Sequence, residues 1–586
     1  MTPLLEKLRS DSHRRTAQWL VCHGDHLIGI TVVALVAAAG CMPLLRHGAS
    51  NPDSIGIYLD WLERFASQLT QGDLYPRWLM GMNHGAGSPV FYYYAPVAYY
   101  LASVPAIVLS GHRPTIQLAW ADWLLIVMSG LAFYLCARRR FKVIVALPSA
   151  TLYMLLPYHF EVDTYARQDI AELANYIWMP LVLQCVDELF ERRRTVCGIA
   201  VSYALMLSSH LPTTLLFSVC LCGYITVNLA MTRCWSCLPR LGLGFGLGLL
   251  LAAVYLIPAL LAENYVLMDA MWSEDFHIFF FPVGSLALYS NDVERHAFAV
   301  RTFTVVSLTT LMFCVLWVAA IRAPAACSRR PLIGCLILVV MSWFLMSSYS
   351  GFVWEHIAAL RKTQFPWRLS MVVDLATAIT ALHALHALSQ RHNIASILAG
   401  SASLVILAWC LSTAQFSTKV DSFYSAFWLA SRDNAIRDGV DVAEYTTIWN
   451  HADTAPEVPV ESSGRLPVSY DSSAGNIVTV SWRPRHIELE VRLLRTTRAS
   501  VRQFYFPNWG ATTDHGQRLS VTPSEPDGLL EMELPAGLYR LYITLAPLTH
   551  ERVGWALSTM GVALVLCLSW VGRARHKNRS RGVNLA

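Results

Sequence analysis

The residues best suited to chemistry in this sequence are acids and cations placed where apolar stretches begin. Asp53 follows Asn51 and Pro52 and opens a pattern of apolar residues at helical spacing, Ile55, Tyr58, Leu59, Leu62, Phe65, Ala66 and Leu69, that ends at Gly72. A carboxylate there can cap the helix by accepting from its free amides, and it can also take a proton from a hydroxyl as a general base. The two roles are compatible. Asp60, two turns on, either supports a metal or that base, or lies on a solvated face. Arg77 and Trp78 in GDLYPRW, and His84 in GMNHGAGSP, lead into a tyrosine run that includes Tyr93 and Tyr94. Arg77 and His84 offer contacts for a phosphate, while glycines and prolines hold a loop against an aromatic wall. An interfacial aromatic belt accounts for the tyrosines but not for the Arg-Trp pair or the glycine spacing.

The stretch PYHFEVDTYARQDIAE, 157–172, crowds His159, Arg167, Asp169 and Glu172 at the entrance of an apolar helix. Charge is costly to desolvate there, so such residues are paired or functional. If the stretch is helical, Arg167, Asp169 and Glu172 fall within about one and a half turns, and an internal Arg–carboxylate bridge stands beside a catalytic role. His210 in SSHLPTT is either a satisfied polar residue ahead of Pro212 or a substrate contact. Arg361, Lys362 and Arg368 in RKTQFPWRLS suit a lipid phosphate or the anchoring of a helix. Asp122 and Asp374 lie inside apolar stretches, where a buried partner is expected and proton coupling is the other reading. Cys234 and Cys237 form a lone C-x-x-C without a second ligand pair. The sequence indicates no metal ligands.

The elements that must position these residues are membrane helices. The 586 residues are 55% hydrophobic and 15% charged, too apolar for soluble cores alone, so lipid is part of the solvent. The net charge of +5 is spread in short basic runs between apolar stretches, a topology signal that argues against nucleic acid as a partner. None of the 14 Cys falls in the polar segment 416–552, and no disulfide framework is indicated. About a dozen spans are expected: 27–45, 116–137, 143–160, 176–190, 196–210, 213–231, 241–263, 302–321, 331–348, 369–388, 394–415 and 554–571.

The apolar run 90–110 sets the orientation. If it does not cross, the N-terminus, 138–142, 191–195, 232–240, 322–330, 390–393 and the tail RARHKNRSR all fall on the cytoplasmic side. It is therefore expected to be interfacial or re-entrant, as its tyrosines and prolines suit. The expected architecture is a polytopic α-helical membrane protein of a bacterial inner membrane with both termini cytoplasmic. Residues 1–26 form the cytoplasmic N-terminus. A transmembrane domain, 27–415, carries outer loops at 46–115, 160–176, 264–301 and 349–368. A periplasmic domain, 416–552, has alternating strands such as HIELEVRLL and turns such as PNWG, the pattern of a β-sandwich. A last helix and basic tail, 553–586, close the chain.

Several of these pieces resemble a bacterial membrane family catalogued as related to pyruvoyl-tetrahydropterin synthase and, more distantly, the GT-C class of polyprenyl-linked-sugar glycosyltransferases. They are Asp53 ahead of its helix, GDLYPRW at 72–78, the G-x-G-x-P-x-F-Y-Y-Y-x-P run at 85–96, P-Y and Y-x-R-x-x-x-x-E within 157–172, SHLP at 209–212, QFPWR at 364–368 and the terminal FPNW at 506–509. Pterin chemistry is set aside, because no zinc-histidine cluster is present. The GT-C resemblance implies a GT-C-like fold and transfer of a sugar from a polyprenyl-phosphate donor to an envelope glycan, lipid or protein acceptor on the periplasmic face. It implies acids in the first two outer loops, positions matched by Asp53 and by Asp169 or Glu172. The class often pairs its first-loop acids, whereas Ser54 follows Asp53 here, which leaves the cofactor unknown and metal dependence open: the sequence does not itself indicate a divalent metal and does not exclude one. The alternative is a flippase or an assembly factor for lipid-linked polysaccharide, in which Asp122 and Asp374 would be the coupling groups.

Overall fold

The computed structural model describes residues 24, 26–49, 55–191, 195–272, 279–281, 293–323, 329–390, 394–413, 441–451 and 467–583. Asp53 lies outside the described residues, as does its place as a cap or base.

Seven helices are long and apolar enough to cross a membrane: Pro114–Arg138, Val143–Arg167, Leu211–Thr232, Val300–Ile321, Arg329–Met346, Pro366–Ser389 and Thr549–Val571. The pair Trp235–Leu251 and Ala253–Leu261, bent by 69°, makes an eighth if counted as one span. The expectation of about twelve is corrected to seven or eight among the described residues. The physical reason is length and polarity. The expected span 27–45 holds the shorter apolar helix His26–Gly40, and 196–210 holds Val196–Leu207, whose 12 residues reach only about 18 Å against a hydrocarbon core of about 30 Å. The apolar part of 394–415 is Ile397–Trp409. The span expected at 176–190 sits within a helix, Ile170–Phe190, that carries acids at both ends, Glu172, Asp187 and Glu188.

The segment 55–108 folds as its pattern predicts. Helix α1, Ile55–Thr70, buries Leu59, Leu62, Phe65 and Ala66 on one face. Those residues meet Phe91 and Tyr99, with ring centroids 4.6 Å and 6.0 Å from Phe65. The run 90–110 is broken into Val90–Tyr93 and α2, Val97–Val108, with Pro96 at the start of the second piece. Twelve residues are too few to cross the hydrocarbon alone.

Between the long helices α3, Pro114–Arg138, and α4, Ile170–Phe190, the chain forms a π-helix over Tyr158–Arg167. Such wide turns are rare and concentrate at functional sites. Gln168, with φ of 52°, ends it in the left-handed region, and Asp169 then caps α4 by accepting from the Glu172 amide at 3.1 Å. The loop Pro366–Leu369 leads into α5, Ser370–Ser389.

Among the described residues the C-terminal unit has nine strands, β1 (Val468–Tyr470), β2 (Gly475–Arg483), β3 (His486–Leu493), β4 (Thr497–Phe504), β5 (Trp509–Thr513), β6 (Arg518–Leu519), β7 (Thr522–Pro523), β8 (Leu529–Leu534) and β9 (Gly537–Leu545), in two antiparallel sheets ordered β1-β4-β8-β7 and β2-β3-β9-β5-β6. The central strands are β3, β4, β8 and β9. Their alternation buries Ile487, Leu489 and Val491 on one strand and Leu541 and Ile543 on its neighbour. Helix α6, Thr549–Val583, follows directly.

Candidate functional site

Among the described residues, two groups of buried charge involve residues singled out from the sequence. The first is built on the π-helix. Arg167 makes ion pairs with Asp163 at 2.9 Å, Asp169 at 3.1 Å and Glu172 at 2.6 Å. Arg368, from the loop before α5, reaches Glu172 at 3.1 Å and Asp169 at 3.7 Å, and donates to the Thr363 carbonyl at 2.8 Å. The Tyr158 hydroxyl donates to Glu172 at 3.0 Å. Three carboxylates therefore share two guanidinium groups in a space where all three acids are buried. The second oxygen of Asp163 has no hydrogen-bond partner among the described residues. Burial alone would raise the Asp169 pKa, but His210, Arg167, Arg368 and the Glu172 amide outweigh it and hold the carboxyl below its usual range. His210 is itself pushed down to about 3 by burial, and its Nδ1 lies 2.9 Å from the Thr213 hydroxyl.

An aromatic wall stands beside this cluster. Trp61 on α1 packs against Tyr58, Tyr94, Tyr99 and Tyr445, with ring centroids 6.1, 4.9, 6.2 and 5.8 Å away. Burial raises the pKa of Tyr58, Tyr94 and Tyr99, and the charge of Asp169 adds to the rise in each. All three keep their protons across the physiological range. Tyr58 and Tyr94 are half-buried, and the Tyr99 hydroxyl is buried without a hydrogen-bond partner.

The second group joins the membrane helices to the β-domain. Arg77 lies against Glu551 at 3.2 Å, donates to the Val254 carbonyl at 2.6 Å and sits 3.8 Å over the Tyr75 ring. Arg485 pairs with Glu551 at 3.0 Å and donates to the Tyr92 hydroxyl. Trp78 donates to the Gln503 side chain at 2.7 Å and packs on Phe506 and Trp509. The His84 carbonyl accepts from Arg502 at 2.7 Å. Gly87, at φ of 83°, leaves room for this clasp: a Cβ there would stand 2.5 Å from the Trp78 ring nitrogen.

The structure thus brings Arg167, Asp169, Glu172, His210 and Arg368 together, with Tyr94 alongside. It takes Arg77, Trp78 and His84 to the domain junction instead. Tyr93 donates to the Ala262 carbonyl at 2.7 Å and stacks on Tyr445. Asp60 lies 3.6 Å from Arg64, one turn along α1. The His159 ring stacks on Tyr176 at 3.6 Å, with Nδ1 2.9 Å from the Tyr153 carbonyl, so it is held in the helix packing. Arg361 and Lys362 are exposed, and Lys362 pairs with Glu263 at 2.6 Å. Asp122 lies 3.4 Å from the Gln168 side-chain nitrogen, and Asp374 accepts from the His159 amide at 3.0 Å. No group of three His, Cys, Asp or Glu among the described residues is arranged to hold a metal ion.

Sequence reasoning missed three acids of these networks: Asp163, Asp441 and Glu551, the last because its partners Arg77 and Arg485 are far away in the chain. Asp163 was legible as the residue four before Arg167 in a stretch already marked as crowded. Asp441, which accepts from Trp61 at 3.1 Å and from Ser88, carried no local signal.

No family model matches the chain, the family related to pyruvoyl-tetrahydropterin synthase included, and no curated protein matches it. Among solved structures it is similar to ArnT from Cupriavidus metallidurans bound to undecaprenyl phosphate, at 14% identity over 70% of this chain and 76% of that one, with a TM-score of 0.41. It is also similar to the Archaeoglobus fulgidus oligosaccharyltransferase, at 13% identity over 72% of this chain and 57% of that one, TM-score 0.35. The mycobacterial arabinofuranosyltransferase AftD overlaps at 15% identity over 69% of this chain and 29% of that one, TM-score 0.35. At TM-scores of 0.41 or less, none of these overlaps assigns chemistry to this chain.

Proposed function

We propose that the chain is a GT-C-like membrane transferase that moves a sugar from a polyprenyl-phosphate donor to an envelope acceptor on the periplasmic side of a bacterial inner membrane. The observation that carries this reading is the cluster of Asp163, Arg167, Asp169, Glu172 and Arg368 beside the aromatic wall of α1 and α2. Buried charge at the head of membrane helices is retained where a substrate needs it.

In the reaction, an acceptor hydroxyl oxygen attacks the anomeric carbon. The bond from that carbon to the phosphate oxygen breaks, and the polyprenyl phosphate leaves with the electron pair. Arg167 and Arg368, whose charges act on Tyr58 of the wall, supply counter-charge to the leaving phosphate. Asp169, held ionised by its neighbours, and Glu172 stabilise the positive charge that develops on the sugar ring as the bond breaks, as carboxylates do in glycoside cleavage. Asp53, ahead of α1, is the proposed base for the acceptor proton. Tyr94 and Tyr58 offer faces against which a sugar or an isoprenoid packs.

The test is transfer by the purified full chain in nanodiscs, with radiolabelled polyprenyl-phosphate sugars. Glu172→Gln and Arg368→Met should abolish transfer. Normal transfer by Asp53→Asn would remove that residue from the role of base. Proton-driven movement of a lipid-linked glycan in proteoliposomes, lost in Asp122→Asn or Asp374→Asn, would replace the transferase with a transporter.

A further inference from the structure

The segment 441–451 enters the β-domain by way of the first outer loop. Leu267 donates its amide to the Thr446 carbonyl and Ile448 to the Tyr265 carbonyl, at 3.0 and 3.2 Å, so the segment is pinned against the chain that follows Ala253–Leu261. Its first residue, Asp441, reaches further. The carboxylate accepts from the Trp61 ring nitrogen at 3.1 Å, from the Ser88 hydroxyl and from the Val442 amide at 2.9 Å. Its own amide donates to Asn83 at 2.9 Å. One side chain therefore ties α1, through Trp61, to the tight loop at 83–88.

Among the described residues every hydrogen bond to that carboxylate comes from a neutral donor, and no ion pair to it occurs. The charge that acts on it is that of another acid, Glu444 on the same segment, which raises its pKa further. From the other elements it faces Tyr99 on α2, and Tyr445 stands beside it. Both phenols are driven up by burial and stay neutral. A carboxylate with neutral partners and a like charge nearby is an expensive way to join two segments, since an amide would accept from Trp61 at lower cost. Trp61 is also the ring that packs on Tyr58, Tyr94 and Tyr99, the three tyrosines that feel the charge of Asp169.

We propose that Asp441 is a positioning residue for the outer site: it holds Trp61, and with it the tyrosine wall beside Asp169, to the start of the β-domain. Its relevance to sugar transfer rests on the transferase reading, but the clasp itself does not. Desolvation pushes the Asp441 carboxyl up to about 6, so the clasp is tightest when the group is protonated. Opening lets the carboxyl regain its ordinary acidity. Opening is therefore favoured as pH rises between the two values, by about tenfold or more.

Hydrogen–deuterium exchange of the full chain in nanodiscs tests this, read on peptides covering 55–62 and 83–99 and corrected for base-catalysed chemical exchange. In the wild type, local opening should rise at least about tenfold from pH 4 to pH 7. Asp441→Asn should remove that dependence while keeping the peptides protected, and Asp441→Ala should loosen them at every pH. Equal pH dependence in wild type and Asp441→Asn, or unchanged protection in Asp441→Ala, would overturn the proposal. Addition of undecaprenyl phosphate separates the two readings. Extra protection of 55–62 in the wild type and less in Asp441→Ala supports the link between clasp and site. A lipid without effect on the wild type, with the pH result intact, counts against the transferase and leaves the clasp standing.

Discussion

The π-helix cluster and the domain junction are both buried networks of arginine and carboxylate, yet they differ in the sign of their excess charge. At the junction two arginines, Arg77 and Arg485, share one acid, Glu551, and Glu551 also accepts from the Leu548 amide at 2.9 Å. That arrangement fastens the start of α6 to the loop at 75–92 and to the β-domain. In the cluster three acids share two arginines, and an oxygen of Asp163 is left over. Surplus acid beside half-buried aromatic rings suits a site that must meet developing positive charge, whereas surplus cation held between carbonyls and rings suits a fastener. The comparison teaches that a buried arginine near an outer loop is not by itself a phosphate ligand; its partners decide.

The largest expected effect separates the two regions directly. Arg167→Met leaves three carboxylates facing one another and should destabilise the protein by about 3–5 kcal/mol. Arg77→Met leaves Glu551 paired with Arg485 and should cost about 1–3 kcal/mol. Thermal unfolding of both variants in the same detergent measures the gap, and a larger loss in Arg77→Met would reverse the assignment of roles. Next in size is Gly87→Ala. Its Cβ displaces Trp78 from Gln503 at a left-handed position, at about 1–3 kcal/mol, and limited proteolysis should then release the β-domain more readily without loss of the cluster.

Acidity probes the cluster alone. The Asp169 pKa is depressed in the folded protein, so its contribution to stability is present above the unfolded value near 4 and is lost as pH falls through the folded value. The melting temperature should drop below about pH 4 in the wild type and drop less in Asp169→Asn. The smallest effect belongs to the exposed pair Lys362–Glu263. Lys362→Ala should change stability by less than about 0.5 kcal/mol, and a larger change would make 361–368 one functional strip instead of a single buried Arg368 with exposed neighbours.

Much of this was legible in the sequence. Helix α1 follows its apolar spacing, the strands follow their alternation, and the crowding of Arg167, Asp169 and Glu172 is visible because those residues are neighbours in the chain. Arg368 was visible only as one of three cations; that it turns inward to Glu172 while Arg361 and Lys362 stay exposed depends on the loop at Pro366–Leu369 packing against the helices Arg329–Met346 and Leu211–Thr232. The fate of Arg77, Trp78 and His84 was not legible, because their partners are Val254, Arg502, Gln503 and Glu551, more than 170 residues away. The helix count was overestimated because hydropathy registers apolar stretches but not whether each is long enough to cross.

By itself the sequence determined the solvent, the polarity of the loops, the strand pattern and the local grouping of the 163–172 charges, since composition and short-range periodicity act within a few residues of one another. Only the tertiary structure decided which arginine meets which acid. Desolvation and partner geometry set what a buried charge can do, and both depend on segments that the chain brings together from far apart.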